Sequence, residues 1–478
     1  MTSSSPPAHE PPFGSVPPIS AGRLHSGSMQ RKNITGWGRF PVVAAVRRGA
    51  RSLEDLVRFA REREPLLAQG SSLSYGDASL SGRLISALPL NRLLSFDSSE
   101  GVLCAEAGIT LEEIIRFALP RGWFLPVTPG TKFVTLGGCI CADVHGKNHH
   151  VDGSIGSFVR EIHMVLAGGT EIRCSPQQNS ELFEATVGGM GLTGFVYAAT
   201  VGLRRVQSAF LQVRTEKTSD LESTCRTLLA TQSEYTYSVA WIDTFPGATR
   251  RGRGLVMLGR HAPAEEGDPT APLRLHSPPR ASVPDCVPAF LVNRFSGRVF
   301  NALYYRKQWR RQADSVVHYD PFFYPLDALA NWNRLYGRGG FLQYQFVVPF
   351  DSPDEGANGG EGAIEEVLGL LARRGFGSTL AVLKTFGPQR GLLSFPTAGL
   401  TLALDFPLGN GRIVQALDEV TKMVVRAGGR VYLAKDAVVG QADFEAMFPR
   451  LDEFRRIKQR FDPNGLFRSV QSDRLGIT

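Results

Sequence analysis

Thr128-Pro-Gly-Thr-Lys-Phe-Val-Thr-Leu-Gly-Gly-Cys-Ile-Cys-Ala-Asp-Val-His-Gly-Lys-Asn-His-His150 is the stretch on which the reading of this chain turns. Its first half carries Pro129-Gly-Thr131 and Thr135-Leu-Gly-Gly138. Glycines at such spacing let backbone N–H groups converge on a phosphate without interference from a Cβ. Its second half, Asp143 to His150, is dense in polar side chains. Three histidines in six residues suggest a metal at first sight, but Lys147 would place a cation beside it. His149 and His150 are adjacent and diverge, and no acidic or cysteine cluster elsewhere has ligand spacing. No metal is expected; contacts to a cofactor and to a hydroxyl or phosphate of a substrate are.

Two more glycine-dense loops flank this stretch. Gly70-Ser-Ser-Leu-Ser-Tyr-Gly-Asp77 follows a short strand read at Pro65-Leu-Leu-Ala68, and Thr186-Val-Gly-Gly-Met-Gly-Leu-Thr-Gly194 follows Glu181-Leu-Phe-Glu184. One such loop is explained by a turn; three within about 130 residues of strand–helix sequence point to a diphosphate cofactor. The fingerprint G-x-G-x-x-G is missing after the first strand, which disfavours an ordinary NAD site, and the P-loop pattern is also missing.

Around these loops the punctuation is regular. Ser52 caps an expected helix with Leu53, Leu56, Val57 and Phe59 at near-helical spacing, and Thr110-Leu-Glu-Glu113 fits a capping box. Gly168-Gly169 reads as a hairpin turn. After Arg204 the texture changes to β-like pieces such as Thr236 to Asp243, Phe341 to Pro349 and Leu400 to Pro407. A helix is expected near 412–427, closed at Gly428-Gly429, and more helices in the tail. Residues 262–286, rich in Pro and charge, read as a loop or partly disordered insertion.

The bulk numbers bound the class. The chain has 478 residues, 42% hydrophobic and 21% charged, enough for at least two domains of a soluble globular enzyme. A net charge of +8 favours anionic partners, but no zinc finger, RNP motif or long Lys/Arg block is present, so nucleic acid is not expected. Six irregularly spaced cysteines without a CxxC read as reduced thiols. The first thirty residues are Ser- and Pro-rich and lack the apolar core of a secretory signal, and no run approaches membrane-spanning length.

Thr35-Gly-Trp-Gly-Arg39, Ser74-Tyr-Gly-Asp77, Pro129-Gly-Thr131, Thr135-Leu-Gly-Gly138, Ala142 to His150, Thr186 to Gly194, Gly340-Phe-Leu-Gln-Tyr-Gln-Phe346, Val382-Leu-Lys-Thr-Phe-Gly387 and Tyr432-Leu-Ala-Lys-Asp436 occur in this order. Together they resemble the decaprenylphosphoryl-β-D-ribose 2′-oxidases, within the vanillyl-alcohol-oxidase superfamily of FAD-linked oxidases. The resemblance implies an α+β, two-domain PCMH-type FAD-binding fold with a substrate domain built on an antiparallel sheet. It further implies a disordered tail at 1–32, an FAD domain at 33–206, a substrate domain at 207–425 and a segment 426–478 completing the FAD domain and active site. The implied activity is oxidation of the 2-hydroxyl of a polyprenyl-phosphoryl ribose to a ketone, the first half of an epimerisation completed by a separate NAD(P)H-dependent short-chain reductase. The alternative is an FAD-linked oxidase of a soluble sugar, alditol or aldonolactone; a non-catalytic flavin-fold binding protein is the third reading. A cytoplasmic location is expected, with or without peripheral contact at the inner face of the plasma membrane.

Carried over by position, the resemblance assigns Ala68, Gln69, Gly70, Ser71, Ser72, Leu73, Ser74, Tyr75, Gly76, Asp77 and Ala78 to the pyrophosphate loop. It adds Gly130, Thr135, Leu136, Gly137, Gly138, Ala142, Asp143, Val144, His145, Val196 and Tyr432 to the FAD contacts. Lys147, Gln345, Lys384 and Lys435 form the expected polar wall of the substrate pocket. Oxidising an alcohol by hydride transfer needs a group to take the hydroxyl proton and a cation to favour the developing alkoxide. Lys435 and His145 are the catalytic candidates, with Lys435 preferred; a surface ion pair Lys435–Asp436 is the plain alternative.

Three features depart from the family, and a fourth stands outside it. Leu73 replaces an arginine in the first phosphate loop. The run Gln69 to Asp77 has no histidine, so FAD is expected to be non-covalent. Ala403 stands where mycobacterial members carry a reactive cysteine. Finally, Phe290 to Arg311 mixes apolar residues at helical spacing with Arg294, Arg298, Arg306, Lys307, Arg310 and Arg311. A helix packed on the substrate domain with a solvated basic face is preferred there, and a helix lying on an anionic bilayer is the alternative.

Overall fold

The computed structural model describes residues 30–245, 252–276, 281–288, 292–354, 356–389 and 391–477. The expected tail 1–32 lies outside the described residues up to Met29, and Lys32 already opens the first strand. The insertion expected at 262–286 lies outside them at 277–280. Its described part runs in turns apart from Ala281–Ser282, which pairs in parallel with Leu329–Ala330.

The N-terminal half carries two larger sheets, besides the short pair Trp123–Phe124 and Arg204–Arg205. In one, Lys32–Thr35, Val42–Gly49, Arg83–Ser86 and Leu67–Gln69 lie in that order, the last three parallel. In the other, Leu93–Asp97, Val102–Glu106, Phe195–Gly202, Val159–Val165 and Glu171–Cys174 are antiparallel throughout. The punctuation that the sequence offered is used: Ser52 accepts from Asp55 N and caps the helix Leu53–Ala60. Thr110 and Glu113 form a reciprocal capping box on Leu111–Ala118. Gly168 and Gly169, both at φ +85°, turn Val159–Val165 into Glu171–Cys174, a conformation that β-carbons resist.

The second half is organised by an eight-stranded antiparallel sheet in the order Gln312–His318, Phe210–Thr218, Gly254–His261, Tyr237–Ile242, Ala381–Phe386, Gly399–Pro407, Phe341–Pro349 and Arg430–Val431. Side chains alternate between its faces. Ile242, Val256, Tyr344, Phe346, Leu402 and Leu404 pack against the helices Leu221–Ala230, Gly360–Arg373 and Arg412–Arg426. The opposite face carries Trp241, Val382, Lys384, Thr401, Ala403, Asp405, Gln343 and Gln345, which are brought together by direct cross-strand pairing. A sheet with helices on one face and polar residues in the middle of the other has a reason to bury the second face against a ligand.

The C-terminal segment returns to the N-terminal half. Leu66 N donates to Leu466 O at 2.8 Å and Val470 N to Leu80 O at 2.8 Å. Lys458, buried, donates to the carbonyls of Leu192 and Phe467 and to Asp462. The chain's end is thus fastened to both glycine-dense loops.

Candidate functional site

Gly70 to Tyr75 are each half-exposed between buried Gln69 and Gly76, forming a small-residue cradle. Ser72 sits at φ 57°, so the loop bends as only a few side chains tolerate. A Cβ at Gly70 would strike Thr135 Oγ1. Thr135 in turn caps the short helix Leu136–Cys141 by accepting from Gly138 N at 3.2 Å. Around the point where a Cβ at Gly130 would sit, nothing lies within 4 Å, and Gly138 is exposed between buried Gly137 and Cys139. The second loop closes on the same helix, with Gly188 N donating to Ile140 O and Met190 N to Cys141 O. The loops recognised in sequence therefore meet on one short helix, the Gly70 loop at its N-terminal end and the 186–194 loop at its C-terminal end, and the open glycines at the N-terminal end fit a diphosphate.

The polar face of the large sheet lies beside this cradle. Tyr75 N donates to Ala434 O at 3.0 Å, and Tyr432 OH donates to Ala142 O at 3.0 Å. His145 lies among Phe386, Phe395 and Tyr432, with ring centroids 4.7, 5.5 and 5.1 Å away. Its tautomer follows from a chain of hydrogen bonds. Thr401 Oγ1 spends its proton on Phe346 O at 2.8 Å, so it accepts from Gln345 Nε2 at 3.2 Å. That fixes the Gln345 amide, whose Nε2 also donates to His145 Nε2 at 3.0 Å. His145 must then carry its proton on Nδ1. This buried N–H has no protein partner, as expected of a donor that completes its bond with a flavin or substrate oxygen. Burial, then the nearby charges of Lys384, His149 and Lys435, hold His145 neutral, far below its ordinary pKa.

Lys384 and Lys435 flank this imidazole, and Lys147 lies near Lys384. Burial pulls Lys384 down to about 7, helped by the charges of Lys147 and Lys435; its Nζ donates to Gly146 O at 3.4 Å. Burial likewise brings Lys147 down to about 7, and its Nζ is held by the carbonyls of Phe322 and Phe323. Lys435 stands on the turn closed by its own N–H to Tyr432 O. It donates to Gln343 Oε1 and lies 3.7 Å from the centroid of the Tyr75 ring, a cation–π contact. Burial lowers its proton affinity, and the Asp405 carboxylate opposes that. Clustered half-buried cations with depressed proton affinity can bind an anion and take up a proton near neutral pH.

The side chains expected at the site divide into two groups. Gly70 to Tyr75, Gly130, Gly138, His145, Lys147, Gln345, Lys384, Tyr432 and Lys435 line the cradle or the polar face. Asp77, Ala78, Leu136, Asp143, Val144 and Val196 are buried. Asp77 is held by Arg474, both bonds 2.9 Å, and Asp143 accepts from Gly156 N and Gln389. The surface ion pair Lys435–Asp436 does not form. Asp436 is buried and accepts from Arg474, Val438 N and Val439 N. The histidines part ways as well: His149 Nδ1 accepts from Gly387 N, and His150 Nε2 faces Tyr235 O. Among the described residues no group of three or more His, Cys, Asp or Glu could hold a metal. Sequence reasoning passed over Gln343 and Asp405, although two glutamines two apart and a lone acid within apolar strands are signals of a buried polar face.

Ala403 is half-exposed within a strand whose neighbours Leu402 and Leu404 are buried, and it faces Gln345 across the sheet. Any side chain there shares the polar face of the sheet. Cys139 is fully buried, and burial raises its thiol pKa and pushes that of Cys141 up to about 12, so neither is a nucleophile. A cysteine-directed covalent inhibitor of the family is expected to leave the intact mass unchanged. Ala403→Cys should gain one adduct, and labelling of the unsubstituted chain would refute the account.

Comparison with known proteins gives the same architecture a context. Residues 43–175 match the FAD binding domain family, and residues 409–475 match the D-arabinono-1,4-lactone oxidase family. Over 460 residues the chain is 36% identical to decaprenylphosphoryl-β-D-ribose oxidase of Mycolicibacterium smegmatis, covering 93% of this chain and 98% of that protein. A Streptomyces coelicolor protein from the mprA 5′ region is 33% identical over 77% of this chain and its own whole length. Human Delta(24)-sterol reductase is 29% identical over 133 residues, 28% of this chain and 26% of its own. The last likeness is confined to a part of each protein, whereas the first spans the cradle, the sheet and the Lys435 turn together.

Proposed function

The chain belongs to the decaprenylphosphoryl-β-D-ribose oxidase family of FAD-dependent oxidoreductases, and from that premise we propose that it oxidises the 2-hydroxyl of a polyprenyl-phosphoryl ribose to a ketone. The observation that carries this reading is the meeting of an unpartnered His145 Nδ1–H with Lys384 and Lys435 beside the glycine cradle. When bound, FAD supplies the hydride acceptor at its N5. Gly70 to Tyr75, Gly130 and Thr135 to Gly138 would hold its diphosphate, and His145 and Tyr432 its ring system. With Leu73 in place of arginine, backbone N–H groups and the helix N-terminus carry that phosphate charge.

The protein's own part is the proton and the charge. The hydroxyl proton passes to Lys435 as the C2–H bond gives up its electron pair and the C=O bond forms. His145 takes no proton, because its Nε2 already accepts from Gln345; it donates through Nδ1 and orients. Lys384 places a positive charge beside the developing alkoxide, and Lys147 and Lys384 offer cations to the substrate phosphate. The test is anaerobic bleaching of the flavin band at about 450 nm with a short-chain polyprenyl-phosphoryl ribose against free ribose, alditols and aldonolactones. Bleaching by the first alone is expected. Bleaching by free sugars alone would replace this reading with that of a soluble sugar or aldonolactone oxidase, which the 409–475 match favours.

FAD is held without a covalent bond in this reading: acid precipitation should leave the yellow colour in the supernatant, and a yellow pellet would refute it. A separate NAD(P)H-dependent reductase would return the ketone to an alcohol of inverted configuration.

A lipid-linked substrate calls for contact with a cytoplasmic-facing membrane surface. No described helix is long and apolar enough to cross a membrane. The helix Arg294–Lys307, however, packs inward through Gly297 and Asn301 and leaves Phe295, Val299, Phe300 and Leu303 exposed, with Trp309 beyond it. Phe295, Val299 and Leu303 form one stripe at i, i+4 and i+8, and Arg298, Arg306, Lys307, Arg310 and Arg311 are exposed around it. An apolar stripe ringed by cations fits an anionic bilayer interface. Co-sedimentation with phosphatidylglycerol vesicles is expected, weaker with phosphatidylcholine and lost in the double variant F295D/L303D. No pelleting with anionic vesicles would end the proposal.

A further inference from the structure

We propose that Asp405, acting through Gln343, is the positioning residue that holds Lys435 in place and sets its proton affinity. This rests on Lys435 being the proton acceptor, as read above.

The three residues form a directional chain. Gln343 and Asp405 are direct partners on adjacent strands, Phe341–Pro349 and Gly399–Pro407, so their side chains share the polar face. Asp405 is 2% exposed and Gln343 6%, so water cannot substitute freely for either. Gln343 Nε2 donates to Asp405 Oδ1 at 2.5 Å. A carboxylate only accepts, so the amide must turn its nitrogen to Asp405 and its oxygen the other way. Lys435 Nζ donates to that oxygen. Asp405 thus dictates which end of the amide meets the lysine. With one N–H committed to Gln343 and the ammonium face on Tyr75, the nitrogen is confined to one place in the pocket.

The same chain carries charge. The wall of the pocket is rich in cations, and burial drives protons off Lys435. The Asp405 carboxylate is the charge that counters this, and burial raises its own proton affinity, with Gln343 and then Lys435 drawing it back. The other groups facing the pair are Tyr75 and Tyr336 around Asp405, and Tyr75, Lys384 and His145 around Lys435. Tyr75 and Tyr336 are pushed well above ordinary phenols by burial, and His145 stays neutral, so over neutral pH the lysines and Asp405 are the groups that change charge. Burial alone lowers the proton affinity of Lys435, and Asp405 is the charge that opposes it.

The sign follows. A base works in its neutral form, so the rate of flavin reduction rises with pH through the Lys435 pKa. Removing the Asp405 charge lowers that pKa, and the rising limb moves to lower pH. A carboxylate placed directly against Lys435 raises it, and the limb moves to higher pH. Asp405→Asn and Gln343→Glu are therefore expected to shift the limb in opposite directions, each by about one pH unit or more. The measurement is the pH profile of anaerobic bleaching by a short-chain polyprenyl-phosphoryl ribose, on holoenzyme of matched flavin content. A purely structural role would lower the rate of both variants with the limb unmoved, and that result overturns the proposal. If Asp405→Asn does not load flavin, Gln343→Glu alone decides, since an unmoved limb there has the same meaning. Lys435→Met separates the two layers. If it keeps the limb, the reading of Lys435 as acceptor fails; if it loses the limb while Asp405→Asn leaves it in place, only the role of Asp405 fails.

Discussion

Lys435→Met slows anaerobic flavin reduction by about 10²–10⁴-fold, the usual worth of a positioned general base, and leaves FAD bound. Methionine keeps the length and apolar stem of lysine, so packing against Tyr75 survives, while the group that takes the hydroxyl proton is gone. The effect belongs in kcat rather than KM, because proton removal is made only in the transition state. The unsubstituted enzyme should show a rising limb well below the ordinary lysine value, since burial lowers the proton affinity of Lys435 more than Asp405 restores it. Lys384→Met is expected to act differently: it removes a cation that binds as well as stabilises, so KM for the phosphoryl substrate rises together with a fall in kcat. An undiminished reduction rate in Lys435→Met would move the base elsewhere.

Arg474→Met should cost about 3–5 kcal/mol of stability, the penalty for leaving buried charge uncompensated, and should strip the protein of FAD. Arg474 makes two bonds of 2.9 Å to Asp77 and one of 2.8 Å to Asp436, and these two carboxylates are 1% and 2% exposed. One guanidinium thus bridges the acid at the end of the cradle loop and the acid beside Lys435, its single positive charge shared between two carboxylates. The two loops are also in steric register, for a Cβ at Gly76 would run into the Asp436 carbonyl. Losing the cation frees two like charges in a dry site and spreads the loops that hold cofactor and base. Denaturant unfolding of the holoprotein, read by flavin release and by far-UV signal, checks this. A double variant D77N/D436N on the Arg474→Met background should recover much of the loss, because it removes the stranded charges. Unchanged stability of the single variant would show that the triad is not a clamp.

Much of this was legible without coordinates. The caps at Ser52 and Thr110, the hairpin at Gly168-Gly169, the β-like texture of Phe341 to Pro349 and Leu400 to Pro407, and the closing glycines at 428–429 are local features, set by backbone sterics and residue preference. The helix Arg294–Lys307 shows where local reading stops. Its spacing of apolar and basic residues was clear, and the packed orientation was preferred. The helix does pack inward, and its contacts fall on Gly297 and Asn301, because Gly297 lies against Phe245 with no room for a Cβ and Asn301 bonds to Asp243 and to Ser378 O. No pattern on the helix alone carries that choice.

The stretch Thr128 to His150 marks the same boundary within the site. By itself the sequence determined that glycines and polar side chains stand together there and that a diphosphate cofactor suits them, because short-range backbone freedom and residue chemistry suffice for that. Only the tertiary structure decided what each group does. The His145 tautomer is set by Thr401 and Gln345 from two strands more than 190 residues away. The lone acid of an apolar strand, Asp405, is joined to Lys435 by an amide from a third segment. Proton affinity and tautomer are properties of the surroundings, and those surroundings exist only once distant strands have been brought side by side.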